Sequence, residues 1–122
     1  MSRPIATDLK VFTPTRDFNE SLQFYTTLGW QLNWQDAGLA EIELAGTRLY
    51  LQNYYTKEWA ENFMIYVSVD DAQAWYDHVH TILQKGEFIS ARVEPPKKES
   101  YGAIVTYMWD PCGILVHFAQ QV

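Results

Sequence analysis

The sequence predicts an α+β fold of two βαβββ modules in one chain, each a curved mixed sheet with its helix on one side and a concave cleft on the other. Three observations predict it. The order strand, helix, three strands occurs twice, at about 7–53 and about 62–121 of a single domain spanning 1–122. The spacing from Gly46 to Tyr50 recurs from Gly113 to His117. The closing stretch turns at Asp110-Pro111-Cys112-Gly113 into a strand of period two, which sends Leu115 and His117 to one face and Ile114, Val116 and Phe118 to the other.

In the first module, Asp8 to Thr13 carries Leu9, Val11 and Phe12 and stops at Pro14, which suits a short first strand. Asp17 then stands as an acidic N-cap with Glu20 three residues on, and Phe18, Leu22, Phe24, Tyr25 and Leu28 follow at helical spacing until Gly29. From Trp30 the period changes to that of strands. A segment to about Gln35, the turn Asp36-Ala37-Gly38 and Leu39 to Ala45 form a hairpin, with Ala40, Ile42 and Leu44 opposed to Leu39, Glu41 and Glu43. After Ala45-Gly46-Thr47, Arg48 to Asn53 sets Leu49 and Leu51 against Arg48, Tyr50 and Gln52. Tyr54 to Glu61 has no clear period and reads as the loop between modules.

The second module repeats this grammar. Phe63 to Val69 is a strand, Asp70 or Asp71 an N-cap, and a helix runs to about Leu83 on the stripe Ala72, Trp75, Tyr76, Val79, Ile82 and Leu83, before Gly86. Phe88 to Val93 is expected as a strand, Glu94 to Ser100 as a loop carrying Pro95-Pro96, and Ala103 to Trp109 as the strand before the closing one.

Composition narrows the function classes. Fifteen acidic against nine basic residues give a formal charge of -6, which repels a phosphate backbone, so nucleic acid is not an expected partner. The same acidity also serves solubility. Aromatic residues make up 16% of the chain, an excess that needs places to go. Cys112 is the sole cysteine, so no intramolecular disulfide forms, and its place at the variable position of the turn reads as incidental. No stretch approaches 18 apolar residues and the start lacks the apolar core of a signal peptide, so a soluble, cytoplasmic protein with no membrane partner is expected. No nucleophile elbow, P-loop or dinucleotide fingerprint is present. His78 and His80 lie two apart on the second helix, pointing about 200° apart, so they cannot share a metal and read as solvated.

The segments Arg16-Asp17-Phe18 to Leu28-Gly29-Trp30, "NFMIYVSVDDAQAWY" and "DPCGILVHF" fall in an order that resembles the vicinal oxygen chelate superfamily, the glyoxalase and bleomycin-resistance fold. Within it the chain is most similar to the bleomycin-binding resistance proteins. The superfamily's enzymes hold a metal at four equivalent positions, which the resemblance assigns here to Lys10, Met64, Tyr50 and His117. Only His117 is a ready ligand for a divalent metal, so the expectation is no metal, no cofactor and no catalytic residue. The competing class is a metal-dependent lyase, isomerase or dioxygenase of the same superfamily, or an enzyme using His117 as acid or base.

Alternation and resemblance together nominate Trp34, Leu39, Tyr50, Tyr66, Tyr101, Tyr107, Trp109 and His117 as the ligand-binding surface. Aromatic faces stack on flat rings and attract cations at roughly 0.5–2 kcal/mol each, although any one of them also suits a core or a subunit interface. Asp36, Glu41 and Glu43 are expected near the rim, attracting a positive ligand. Leu39 departs from the pattern, where an aromatic is usual. The resemblance implies a homodimer, with clefts at the subunit interface and the N-terminal segment in some relatives exchanged. The implied function is metal-free sequestration of a cationic, partly planar aromatic molecule of the bleomycin type, as in antibiotic resistance.

Overall fold

The computed structural model describes residues 3–122; Met1 and Ser2 lie outside the described residues. Module 1 comprises β1 (Val11–Pro14), α1 (Phe18–Leu28), β2 (Gln31–Gln35), β3 (Leu39–Leu44) and β4 (Thr47–Gln52). A short helix, α2 (Lys57–Glu61), leads to module 2, with β5 (Met64–Ser68), α3 (Ala72–Leu83), β6 (Arg92–Lys98), β7 (Ala103–Trp109) and β8 (Leu115–Gln121). The sheets have equivalent orders, β1-β4-β3-β2 and β5-β8-β7-β6, and in each the first pair is parallel and the others antiparallel. The α+β architecture of two βαβββ modules is therefore present.

Local chemistry explains the helices. The Asp17 carboxylate accepts from Glu20 N at α1, and Asp71 from Ala74 N at α3, each satisfying an amide that the helix leaves unpaired. The β3–β4 hairpin turns through Ala45 and Gly46, both at positive φ, the two-residue geometry that matches strand twist.

Three segments differ from expectation. β1 begins at Val11, because the Asp8 carboxylate takes the Leu9 amide and clasps Lys10, so the residues before Val11 are held by side-chain contacts. The supposed loop contains α2, a turn too short to show a period, capped by the Thr56 hydroxyl accepting from Trp59 N. β6 occupies Arg92–Lys98, and not 88–93; its ladder breaks between Glu94 and Lys97, where Pro95 and Pro96 sit. At the edge of a sheet two residues without N–H groups cost little. Phe88 is instead buried, edge-on to Phe24 at 5.2 Å.

The core lies against one face of each sheet. Ala40, Ile42 and Leu51 from the first sheet, Met108, Val116 and Phe118 from the second, and Phe24, Tyr25, Leu28 and Val79 from the helices form one cluster. The alternation in β8 is as expected: Ile114, Val116 and Phe118 are inaccessible, whereas Leu115 and His117 are partly exposed. Trp75 of α3 lies parallel to Phe118 at 4.5 Å.

The Asp110–Gly113 turn ties the modules together. Its Asp110 Oδ1 accepts from Cys112 N and Ile114 N, each at 2.9 Å, and Oδ2 from the Tyr25 hydroxyl at 2.7 Å. Gly113, at φ 97, turns its amide back to the Asp110 carbonyl, a conformation open to glycine. Arg16 donates to the Pro111 carbonyl. Cys112 is not incidental: its thiol is buried and donates to the Pro14 carbonyl, and burial pushes its pKa up to about 12. His78 and His80 are both exposed, as expected; His78 Nε2 also donates to the Leu28 carbonyl at the end of α1, and His80 stacks on Tyr76 at 5.3 Å.

Candidate functional site

The sheet faces turned away from the core carry most of the predicted site residues. On the first sheet the register sets Phe12, Tyr50, Glu41 and Trp34 side by side across β1, β4, β3 and β2. Phe12 and Tyr50 lie 5.1 Å apart between ring centres, and Tyr50 and Trp34 5.9 Å, edge to face. Phe12 and Trp34 remain 44% and 42% exposed, so a row of rings is open to a ligand. Leu39 follows on the same face, opposite Gln52.

On the second sheet the equivalent row is Tyr66, His117, Tyr107 and Glu94 across β5, β8, β7 and β6. His117 lies 5.8 Å from Tyr66 and 5.0 Å from Tyr107. The Tyr107 hydroxyl donates to Glu99, and the Tyr66 hydroxyl accepts from Gln121. Burial, followed by the bond to Glu99, raises the Tyr107 pKa and keeps the phenol protonated. His117 Nδ1 is inaccessible and without a partner. A bare acceptor there is cheaper than an unpaired N–H, so the neutral ring with its proton on Nε2 fits best; burial lowers the pKa in the same sense, against a weaker pull from Glu99.

The eight predicted residues do not make one pocket within the chain. Trp34, Leu39 and Tyr50 lie on the first sheet; Tyr66, Tyr107, Trp109 and His117 lie on the second. Tyr101 is exposed in the turn between β6 and β7. The ring contacts run within each row and do not join the rows. Trp109 is partly covered by the Arg92 guanidinium, 3.7 Å from its ring centre. An apolar cavity of about 240 Å³ between the β3–β4 hairpin and β5 includes Tyr66 and none of the other seven.

Phe12 was missed, although the sequence held a signal: it precedes the Asp17 cap by the same interval that separates Tyr66 from Asp71. The acidic residues expected at the rim are engaged within the chain. Asp36 is used within its turn, accepting from the Gly38 and Leu39 amides. Glu41 is 8% exposed, and the Asn33 amide bridges it to Glu43. Lys10 Nζ stands 3.6 Å from Glu41, clasps Asp8 and lies 5.6 Å from the Tyr50 ring centre. The Asp8 hydrogen bond raises the Lys10 pKa and lowers that of Asp8.

The four positions assigned to a metal in the superfamily's enzymes do not fit one. The Lys10 ammonium is engaged as a donor and has no lone pair to give; Met64 is a soft thioether, and Tyr50, a rare ligand type, packs its ring against Phe12 and Trp34. Among the described residues no three His, Cys, Asp or Glu side chains converge into a metal-binding group.

Comparison with known proteins places these features in context. The model of the Glyoxalase/Bleomycin resistance protein/Dioxygenase superfamily matches residues 10–118. A bleomycin resistance determinant encoded on the transposon Tn5 superposes with a TM-score of 0.76 at 21% identity, over 95% of this chain and 98% of that one. The bleomycin-binding protein of Streptomyces verticillus, in complex with copper(II)-bleomycin, gives 0.76 at 18% identity, over 100% and 99%. Lactoylglutathione lyase from Agrobacterium tumefaciens gives 0.66 at 16% identity, over 96% and 95%. At these identities the likeness is one of fold, and it spans binding proteins and an enzyme. No curated protein sequence matches the chain significantly.

Proposed function

Since the chain belongs to the Glyoxalase/Bleomycin resistance protein/Dioxygenase superfamily, we propose that it is a metal-free binding protein that sequesters a cationic, partly planar aromatic molecule of the bleomycin type. The observation that carries this reading is the pair of rows, Phe12–Tyr50–Glu41–Trp34 and Tyr66–His117–Tyr107–Glu94, exposing rings on sheet faces that a core would have buried. Rings at this spacing bind a flat heterocycle by stacking, and the formal charge of -6 favours a cation. Three or four such contacts at roughly 0.5–2 kcal/mol each sum to about 1.5–8 kcal/mol, and only the upper end of that range, with a preorganised ligand, approaches micromolar affinity. No bond is made or broken. Two members of this fold are bleomycin resistance or bleomycin-binding proteins, which supports the ligand class.

A homodimer is part of the proposal. One chain leaves each row open, with Phe12, Trp34, Met64 and Tyr66 all exposed, and covering such a surface with a second copy builds a walled cleft. Tyr101 and Trp109 then line its margin. The site acts in the cytoplasm on a ligand that has entered the cell. Described helices include none long and apolar enough to cross a membrane.

The second reading is catalysis through His117, favoured by the Tyr66–His117–Tyr107 contacts with Glu99 beyond and by the likeness to lactoylglutathione lyase. Titration calorimetry with a bleomycin-type glycopeptide, run with EDTA and with added divalent metal, separates the two. Binding at a ratio of about one ligand per chain that EDTA leaves unchanged supports sequestration. A stoichiometric metal that survives dialysis, or turnover of a bound substrate, overturns it.

A further inference from the structure

We propose that Lys10 is a built-in occupant of a cation site on the first sheet, its ammonium standing where a positive group of the ligand binds. The inference rests on the sequestration reading and assigns the site's carboxylate, its ring walls and the residue that sets its charge selectivity. Glu41 is the anchor. It sits in the middle of an aromatic row with 8% of its surface exposed, where a carboxylate without a cation is expensive to keep. Lys10 supplies that cation from 3.6 Å and lies over the Tyr50 ring, so one ammonium meets both a carboxylate and a π face.

Lys10 has somewhere else to go. Asp8 already holds the same ammonium, is more exposed than Glu41, and is itself 3.5 Å from Arg48. A ligand amine, guanidine or cationic heterocycle can therefore take Glu41 while Lys10 keeps its bond to Asp8 and no charge is left buried alone. Trp34, on the far side of Glu41 from Tyr50, offers a ring wall that no cation of the chain covers among the described contacts. The second sheet differs. Arg92 lies on Trp109, but its partner Glu94 is exposed and the pair is open to solvent, so displacing it frees no buried carboxylate. The charge-selective step belongs to Lys10 and Glu41.

The test is a fluorescence titration of the full-length protein with 9-aminoacridine, a planar monocation, against Lys10→Met, Lys10→Met/Glu41→Gln and Lys85→Met. Lys85 is exposed at the end of α3 and matches the change in net charge far from the row. Lys10→Met is expected to bind about tenfold more tightly than Lys85→Met. Adding Glu41→Gln should return the affinity to that of the wild type or weaker. Equal affinities for Lys10→Met and Lys85→Met overturn the inference while leaving sequestration standing if the wild type binds. Binding by Lys10→Met alone supports the inference and counts against sequestration by the natural chain. No binding by any of the proteins overturns both.

Discussion

Removing the Tyr25 hydroxyl isolates the contribution of one of the bonds that join the modules. In Tyr25→Phe the ring and its edge-on contacts with Phe24 and Trp30 stay, and only the 2.7 Å bond to Asp110 Oδ2 is lost. Asp110 keeps two amide donors, but both are on Oδ1, so Oδ2 is left in the core without a donor. A hydrogen bond to a charged group is worth about 1.5–3 kcal/mol, so a loss of about 2 kcal/mol is expected at neutral pH. At roughly 4 °C per kcal/mol for a chain of this size, the Tm should fall by about 8 °C. Its pH dependence provides a second test. Burial raises the Asp110 pKa above its ordinary 3.8, and the Tyr25 bond opposes that rise. Between 3.8 and the native pKa the folded chain binds more protons than the unfolded one. Stability from this group is therefore fully present below 3.8 and is lost as pH rises through the native value. In Tyr25→Phe the native pKa rises further, because burial meets less opposition. The deficit against wild type should shrink as the medium is made acidic and Oδ2 no longer carries charge, to about 1 kcal/mol, the worth of a neutral bond. Urea unfolding of both proteins from neutral to acid pH measures this. A deficit below about 0.5 kcal/mol at neutral pH, or one that stays constant with pH, refutes the role given to the bond.

Other outcomes follow from the same geometry. Trp34→Ala and Tyr66→Ala should each raise the Kd for a bleomycin-type ligand by about 3- to 30-fold without lowering the Tm by more than a few degrees, because both rings are exposed; titration and thermal melts of the same samples check this. Leu51→Ala, at an inaccessible position of β4, should cost about 2–5 kcal/mol in urea unfolding, whatever its effect on binding. Burial lowers the His117 pKa from 6.5, so the group favours the native state above 6.5 and that contribution is lost as pH falls through the lower native value; His117→Gln should flatten this part of the stability–pH curve. The Cys112 thiol, buried with a pKa of about 12, should resist iodoacetamide at pH about 8 until the protein is unfolded, as mass spectrometry would show.

How much of this was legible in the sequence depended on whether local period or distant pairing set the feature. α1, α3, β7 and the alternation of β8 are written in spacings of 3.6 and 2 and in caps such as Asp17 and Asp71, so they could be read directly. β6 was misplaced because prolines argue against a strand in general, whereas an edge tolerates them; which strand is an edge is known only after pairing. α2 was missed because one turn is too short to carry a period. The face of Tyr50, Tyr66, Tyr107 and His117 was also readable, since period 2 fixes it, and all four lie in the rows; Trp34 joins the first row across a register shift after Leu32, and Tyr101 in its turn has no sheet face. Glu41 as a buried, paired carboxylate was not readable. That depends on Asn33 arriving from β2 and Lys10 from the segment before β1, contacts that no spacing along β3 can announce.

The repeat also bears on why the two rows differ in chemistry. Superposing the strand orders matches Phe12 with Tyr66, Tyr50 with His117, Glu41 with Tyr107 and Trp34 with Glu94. One geometry thus carries a row with a carboxylate inside and an indole outside, and another with a phenol inside and a carboxylate outside. In the proposed homodimer, a two-fold axis that lays the first sheet of one chain over the second sheet of its partner must do the reverse as well, giving two equivalent clefts. Each cleft then presents its rings from both walls and its carboxylates at different depths, Glu41 buried and Glu94 exposed. Such a cleft distinguishes the two ends of an elongated ligand, which a pair of identical rows related by symmetry could not do.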